Sequence, residues 1–407
     1  MRHAVFVVPF AFETSLRFLE RAVRLPGLRL SVVSGDPSFK IPEATRHPLV
    51  GFEQVADPLN PGQLAAAIQK LEAQHGKVER LVGVLEQLQV PLAQVREHLG
   101  IPGLGVQAAR NFRDKARMKD VLRANGLPCA AHRLCHSTDE ALHFMRELGG
   151  PAVAKPPDGA GAKGTYRVES AEQLAELLRH SPPSAHAPLL LEEFVQGEEF
   201  SFDAVFMAGH MVWHNINCYR PSPLQVVQNE WIQWCVLLPH DISGGEFDPI
   251  RRDGERAMRV LGLETGLAHM EWFQRPDGSI AISEVGARPP GAQFTSLMSY
   301  THDTDMYAAW AKLVLLDSFD PPARKYASGA AYLRGMGRGR VKAIHGLADA
   351  QARMGDIVVD VRLPEIGKPG ATSGYEGDGY AILRHPNTAV VERGLADLIS
   401  RVRVELG

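Results

Sequence analysis

Only four of the 407 residues are cysteine (Cys129, Cys135, Cys218 and Cys235), and no two of them stand as Cys-x-x-Cys. A disulfide framework is therefore not expected, and reduced thiols in a cytoplasmic chain are. Charge of one sign is lacking too: the formal net charge is −3, which gives no electrostatic case for a nucleic-acid partner. No stretch approaches the ~20 apolar residues of a membrane span. The N-terminal run MRHAVFVVPFAFETSLRF is broken early by Glu13 and Arg17 and has no small-residue cleavage site after it. Glycine is missing where a dinucleotide fold needs it: PFAFETS follows the first strand candidate, so the NAD reading loses its main support. Internal repeats and low-complexity segments are absent as well.

With an apolar share of 45%, the chain can bury a large core, and its length allows about three domains of roughly 100–200 residues. AVFVVPF (4–10) reads as a buried strand, Glu13 to Arg24 as a helix, Leu28 to Val33 as a second strand, Arg80 to Val84 as another, and Pro91 to Leu99 as a helix. Gly100-Ile-Pro-Gly103 marks a break, and the first α/β unit ends near 110. Helical spacing of Met118, Val121 and Leu122, with Asp114 near the start and Gly126-Leu-Pro128 as the stop, predicts a helix within 111–125 whose first turn holds Lys115. Ser137 with Glu140 reads as a capping box. Strands are expected at 152–155, 188–194, 267–275 and 280–285, with a hairpin turning at Ala208-Gly209, helices at 254–262 and 304–316, and a boundary at FDPPARK (319–325).

Between strand 152–155 and the strand-like Tyr166-Arg167-Val168 lies KPPDGAGAKGTYRV. It carries the residues of a P-loop in the wrong order, because Lys163 precedes Gly164 and Thr165 and no helix follows directly. The segment therefore reads as a glycine-rich loop joining two strands.

AHMEWFQRPDGSIAISEVGARPPG is the most informative segment. Read as a hairpin with Pro276-Asp-Gly-Ser279 as its loop, it pairs Arg275 with Ile280, Phe273 with Ile282, and Glu271 with Glu284. Directly opposed residues have Cβ atoms roughly 4.5–5.5 Å apart on one face. At an effective dielectric near 20, two carboxylates about 5 Å apart repel by roughly 3 kcal/mol. A bridging hard cation removes that penalty, and magnesium suits it because it shares its sites with substrate phosphates. The plain alternative is an exposed hairpin whose two acids diverge into water, and a third reading is acid/base catalysis by the pair. Arg288 can aim a fixed cation at the same place, or serve as a structural ion pair.

These residues, in this order, resemble the ATP-grasp superfamily of carboxylate-amine ligases over essentially the whole chain. The matching stretches are FRDKARMKDVL, PAVAKPPDGAGAKGTYRV, LLLEEFVQGEEFSFDA and ISEVGARPPG. The resemblance implies an α/β and α+β architecture in three parts. These are a Rossmann-like pre-ATP-grasp domain (1–110), a two-lobed ATP clamp (111–320, lid subdomain about 125–195) and a small C-terminal α/β domain (321–407). It implies that Lys115 and Lys155 contact phosphates, and that the loop from Asp158 to Thr165, with Gly159, Gly161, Lys163 and Gly164, closes over them. Glu192, Glu193, Phe194 and Val195 would form the strand that reads adenine, largely through backbone groups. Glu199 would hold the ribose, Glu271 and Glu284 one or two magnesium ions (manganese as a substitute), and Arg288 the acyl phosphate.

Two positions depart from the pattern. Ala160 and Ala162 stand where related loops often have serines, and Gly286 where Glu-x-Asn is common, which bears on the second metal's ligands. The layout is most similar to the dipeptide-forming L-amino-acid ligase type. The implied reaction joins a small-molecule carboxylate to an amine through an acyl phosphate, releasing ADP and phosphate. SEVGARPPG is also similar to the formate-using purine branch. The rivals are thus a formate- or bicarbonate-using enzyme of the purine/biotin carboxylase type and a non-catalytic ATP-binding module. Glu86, as a holder of a substrate ammonium from the first domain or as an ordinary exposed acid at a helix start, and Gly291 join Arg288 as substrate-site candidates, with Trp231 and Trp234 as walls of an acceptor pocket or as core. No membrane or nucleic-acid partner is expected, and a homodimer is compatible with the sequence.

Overall fold

The computed structural model describes residues 1–158, 164–229, 232–370 and 377–407, and the statements below concern these. Strands β1 (Arg2–Val8), β2 (Leu28–Ser34), β3 (Gly51–Gln54) and β4 (Arg80–Val82) make a parallel sheet in the order β3-β2-β1-β4. Val5, Phe6 and Val8 are wholly buried, as expected for a parallel strand covered on both faces. Since β2 and β4 flank β1 on opposite sides, the strand order reverses at β1. The crevice outside the carboxyl ends of β1 and β4 is therefore where such a sheet places a ligand. Gly83 makes the tight exit from β4: a Cβ there would lie 2.7 Å from Leu88 and 3.2 Å from the Val7 carbonyl. Three residues later Glu86 opens a short 3₁₀ turn, 86–88.

The expected helix within 111–125 is two helices, Val106–Arg113 and Lys115–Ala124, broken at Asp114. Asp114 is the N-cap of the second, its Oδ1 accepting from Ala116 N at 3.0 Å and Arg117 N at 3.1 Å. Strands β5 (His132–Cys135), β6 (Ala152–Lys155), β7 (Tyr166–Val168) and β8 (Leu189–Glu193) then form an antiparallel sheet, β5-β8-β6-β7. Helices Thr138–Leu148 and Ala171–His180 cover it through Phe144, Met145, Leu174 and Leu178. The cap at Ser137 forms, but Glu140 accepts from His136 N at 2.7 Å, one residue earlier than the reciprocal capping box.

The central sheet runs through β9 (Glu198–Met207), β10 (His210–Arg220), β11 (Trp234–Leu238), β12 (Gly266–Gln274), β13 (Ile280–Gly286) and β14 (Ala327–Leu333). Beyond it come β15 (Gly335–Met336), β16 (Val341–His345), β17 (Val358–Arg362), β18 (Gly379–His385) and β19 (Arg403–Leu406). The order is β13-β12-β9-β10-β11-β14-β18-β17, so β14, β18 and β17 continue the central sheet, while β15, β19 and β16 pair separately. One face packs on helix Asp248–Leu261 through Ile250, Met258 and Leu261. The other packs on helices Phe294–His302 and Met306–Leu316, and that core is continuous with Phe6 and Phe18 of the first unit. Phe18 lies 4.7 Å from the Tyr307 ring and 5.0 Å from that of Trp310, which seats the parallel sheet against the central one. No helix among the described residues is long and apolar enough to cross a membrane.

Candidate active site

Glu271 and Glu284 are direct cross-strand partners, as the sequence implied, but by a different route. The loop is one residue shorter than expected: Arg275 N donates to Ser279 O at 2.8 Å, and Gln274, not Arg275, pairs with Ile280. Phe273 accordingly meets Ala281, and Trp272 meets Ile282. A bulge then inserts Ser283 and restores the register at the two glutamates. Bulges of this kind re-aim side chains beside functional sites.

The pair lines a cavity of about 740 Å³ between the β5-β8-β6-β7 sheet and the central sheet. Burial, and then the charge of Glu284, raises the Glu271 pKa above the usual carboxylate range. Burial pushes Glu284 the same way, but Lys115, Lys155 and Arg288 outweigh it and hold its pKa low. Lys115 Nζ stands 3.0 Å from Glu284 Oε1. Among the described residues no group of three or more His, Cys, Asp or Glu side chains could hold a metal. Two opposed carboxylates are what the chain offers, a donor set that fits magnesium, with its preference for oxygen and its habit of retaining water and phosphate ligands. Gly286 adds no ligand. A Cβ there would meet Glu86 Oε2 at 3.3 Å and Arg288 Cγ at 3.6 Å, so an asparagine at this position would crowd both.

Lys155, the last residue of β6, is buried and lies 2.9 Å from Glu192 Oε2. The Glu192 carboxylate thus lies between Lys119 and Lys155. Glu193 ties the β5-β8-β6-β7 sheet to the β12–β13 hairpin instead: its Oε2 accepts from Ala131 N at 2.9 Å and its Oε1 from Arg275 at 2.8 Å. The N–H groups of Glu193 and Phe194 are spent on Ala131 O and Pro151 O, so two of the backbone donors expected to read adenine are engaged within the protein. Phe194 carries the Arg167 guanidinium 4.0 Å from its ring centroid, which covers one ring face. Val195 joins Ala130, Ala281 and Phe273 in a small apolar floor. Glu199 is buried, and burial followed by the Glu271 charge raises its pKa well above the usual range. Thr165 lines the cavity, and Gly164 has φ +69°, a left-handed conformation that favours glycine. Gly159, Gly161 and Lys163 lie outside the described residues, as does Trp231.

At the far end, Arg288 Nε donates to Glu86 Oε2, an ion pair between the hairpin and the first unit, and Arg288 Nη1 donates to Pro289 O at 3.0 Å. Gly291 lines the cavity and is followed by Ala292 (φ 47°) and Gln293 (φ 64°), two non-glycine residues in the left-handed region. Tyr332 OH donates to Ala292 O and Arg17 to Gln293 Oε1 at 2.8 Å, holding this strained turn beside the site. Trp234 lines the cavity but is wholly buried, stacked 4.5 Å from Tyr332.

Three features escaped the sequence reading. His269 lines the cavity and contacts Asp203 at 2.7 Å, and Asp203 is wholly buried and accepts from Asn217 at 2.7 Å. Strand alternation carried the signal, because His269 sits two residues before Glu271 on the same face. Arg167 follows the glycine loop directly. Lys119 lies one helical turn after Lys115, a spacing that puts both on one face.

Residues 120–300 match the family model for the ATP-grasp domain. An uncharacterized protein, y4rH, of Sinorhizobium fredii is 25% identical over 423 residues, covering 100% of this chain and 82% of that protein. The L-arginine-specific L-amino acid ligase of Bacillus subtilis is 24% identical over 232 residues, covering 55% of this chain; the match spans 54% of that ligase's own length. Among solved structures, an L-amino acid ligase from Bacillus licheniformis superposes with a TM-score of 0.79 at 19% identity, covering 100% of this chain and 99% of the other. N5-carboxyaminoimidazole ribonucleotide synthetase from Thermotoga maritima gives 0.70 at 16% identity, with 100% of both chains covered.

Proposed function

We infer that this chain, whose residues 120–300 match the ATP-grasp domain, is an ADP-forming ligase of the ATP-grasp superfamily that joins the carboxylate of an amino acid to an amine. The observation that carries the substrate class is the Glu86–Arg288 ion pair, in which Glu86 follows β4 and Arg288 lines the cavity. A zwitterion can divide such a pair, offering its ammonium to Glu86 and its carboxylate to Arg288. Formate or bicarbonate has no ammonium for Glu86 to receive, so the pair favours an amino acid over the carboxylase-type reading. Arg288 in the cavity, beyond the groups that nucleotide binding needs, likewise argues against a module that only binds nucleotide.

In this reading Lys115 and Lys155 exchange carboxylate partners for ATP phosphates, Val195 and the apolar floor receive the base, and Glu199 holds the ribose hydroxyls. Magnesium held by Glu271 and Glu284 would supply charge neutralisation for the phosphates. A substrate carboxylate oxygen attacks the γ-phosphorus and ADP leaves. The neutral amine then attacks the acyl carbon, phosphate leaves, and the nitrogen loses a proton. Arg288 steadies the acyl phosphate and the oxyanion, so catalysis rests on positioning and fixed charge. Trapping with hydroxylamine tests the reading: amino-acid-dependent hydroxamate with stoichiometric ADP supports it, and hydroxamate from formate but from no amino acid overturns it.

A further inference from the structure

Lys119 is wholly buried, and no step above uses it. A dry ammonium is costly unless it is paired and hydrogen-bonded. Its Nζ donates to the Ser283 carbonyl at 2.6 Å and lies 3.4 Å from Glu192 Oε1. Ser283 is the bulge residue that brings Glu284 opposite Glu271, and Glu192 holds Lys155 through its other oxygen at 2.9 Å. One ammonium therefore joins helix Lys115–Ala124, the lid strand β8 and the hairpin strand β13.

We propose that Lys119 is a positioning residue for nucleotide, acting through Glu192 and Ser283. Two lysines share one carboxylate, so the Lys119–Glu192–Lys155 cluster carries one net positive charge for the phosphates. Without Lys119 the cluster is neutral: Glu192 cancels Lys155, and the ammonium that should turn to ATP is held back. The Ser283 carbonyl loses its donor at the same time, which loosens the bulge that aims Glu284. A purely structural buried ion pair predicts a different outcome, because its loss lowers stability without changing how strongly the folded protein holds nucleotide.

The inference rests on the reading that this cavity binds ATP, and calorimetric titration of the full chain with ADP and magnesium chloride separates the two. Lys119→Met should weaken ADP binding by about tenfold or more, the scale of coupling between contacting charges. Adding Glu192→Gln to it should restore most of the affinity by releasing Lys155. Glu192→Gln alone should bind ADP at least as tightly as the unaltered protein, which keeps the idea testable if Lys119→Met fails to fold. Unchanged affinity in Lys119→Met, a double variant no tighter than the single, or weakened binding by Glu192→Gln alone overturns the proposal. An unaltered chain that does not bind ADP instead removes the ATP-site reading itself.

Discussion

Replacing Arg288 by alanine tests two roles at once. Its guanidinium donates to Glu86, whose side chain is 9% exposed, while Arg288 itself is 22% exposed. Breaking a fully buried pair costs about 3–5 kcal/mol, and the partial exposure of Arg288 brings the expected loss of stability to about 2–3 kcal/mol. The catalytic loss is separate: removing one well-placed cation or donor from a developing oxyanion costs on the order of a hundredfold to a thousandfold in kcat. Urea unfolding measures the first and coupled ADP release the second. Adding Glu86→Gln to Arg288→Ala should recover most of the stability, because no carboxylate is then left beside the missing guanidinium, and should recover none of the rate. A near-normal rate of ADP release in Arg288→Ala, or a rate regained by the double variant, refutes the assignment.

Glu271→Gln should stabilise the metal-free protein by about 1–2 kcal/mol, since it removes one of two opposed charges, and abolish the thermal shift given by magnesium with ADP; an unstabilised variant that keeps the shift contradicts the metal pair. Gly286→Asn places a Cβ 3.3 Å from Glu86 Oε2 and should lower kcat/KM about tenfold or more by displacing Glu86 and Arg288, so a gain of activity means the crowding is harmless. His302 is buried, and burial with the Arg324 charge lowers its pKa from 6.5 to about 4. Its neutral form is the folded one, so the stability it confers is present above pH 6.5 and lost as pH falls toward about 4, up to about 3 kcal/mol in all. Replacing it with glutamine should flatten the dependence of the urea midpoint on pH across that window, and an unchanged slope would place the titration elsewhere.

Local signals made much of this legible. The helix start near Asp114 and the glutamate pair were each readable from spacing. The pair shows where such reading is fragile: the loop Pro276–Gly278 shifts the register by one, and the Ser283 bulge shifts it back. Nothing in local periodicity announces a bulge. The continuity of β14, β18 and β17 with the central sheet was hidden for the same reason, since strand order is a property of distant pairings. Lys119 lay in plain helical register with Lys115, but its burial between two sheets appears only in three dimensions. The Asp203–His269 contact spans two strands 66 residues apart. Local sequence places Glu192 in the base strand, and only packing turns its side chain toward the lysines.

In the proposed reading, one cavity makes an acyl phosphate from an amino acid and passes it to an amine. The most direct measurement is ADP release by the full chain with magnesium and ATP across a panel of amino acids offered singly and in pairs. Release that appears with particular amino acids, together with a dipeptide or amide product of matching amount, is the predicted result. Tight nucleotide binding with no ADP and no coupled product across the panel would contradict it.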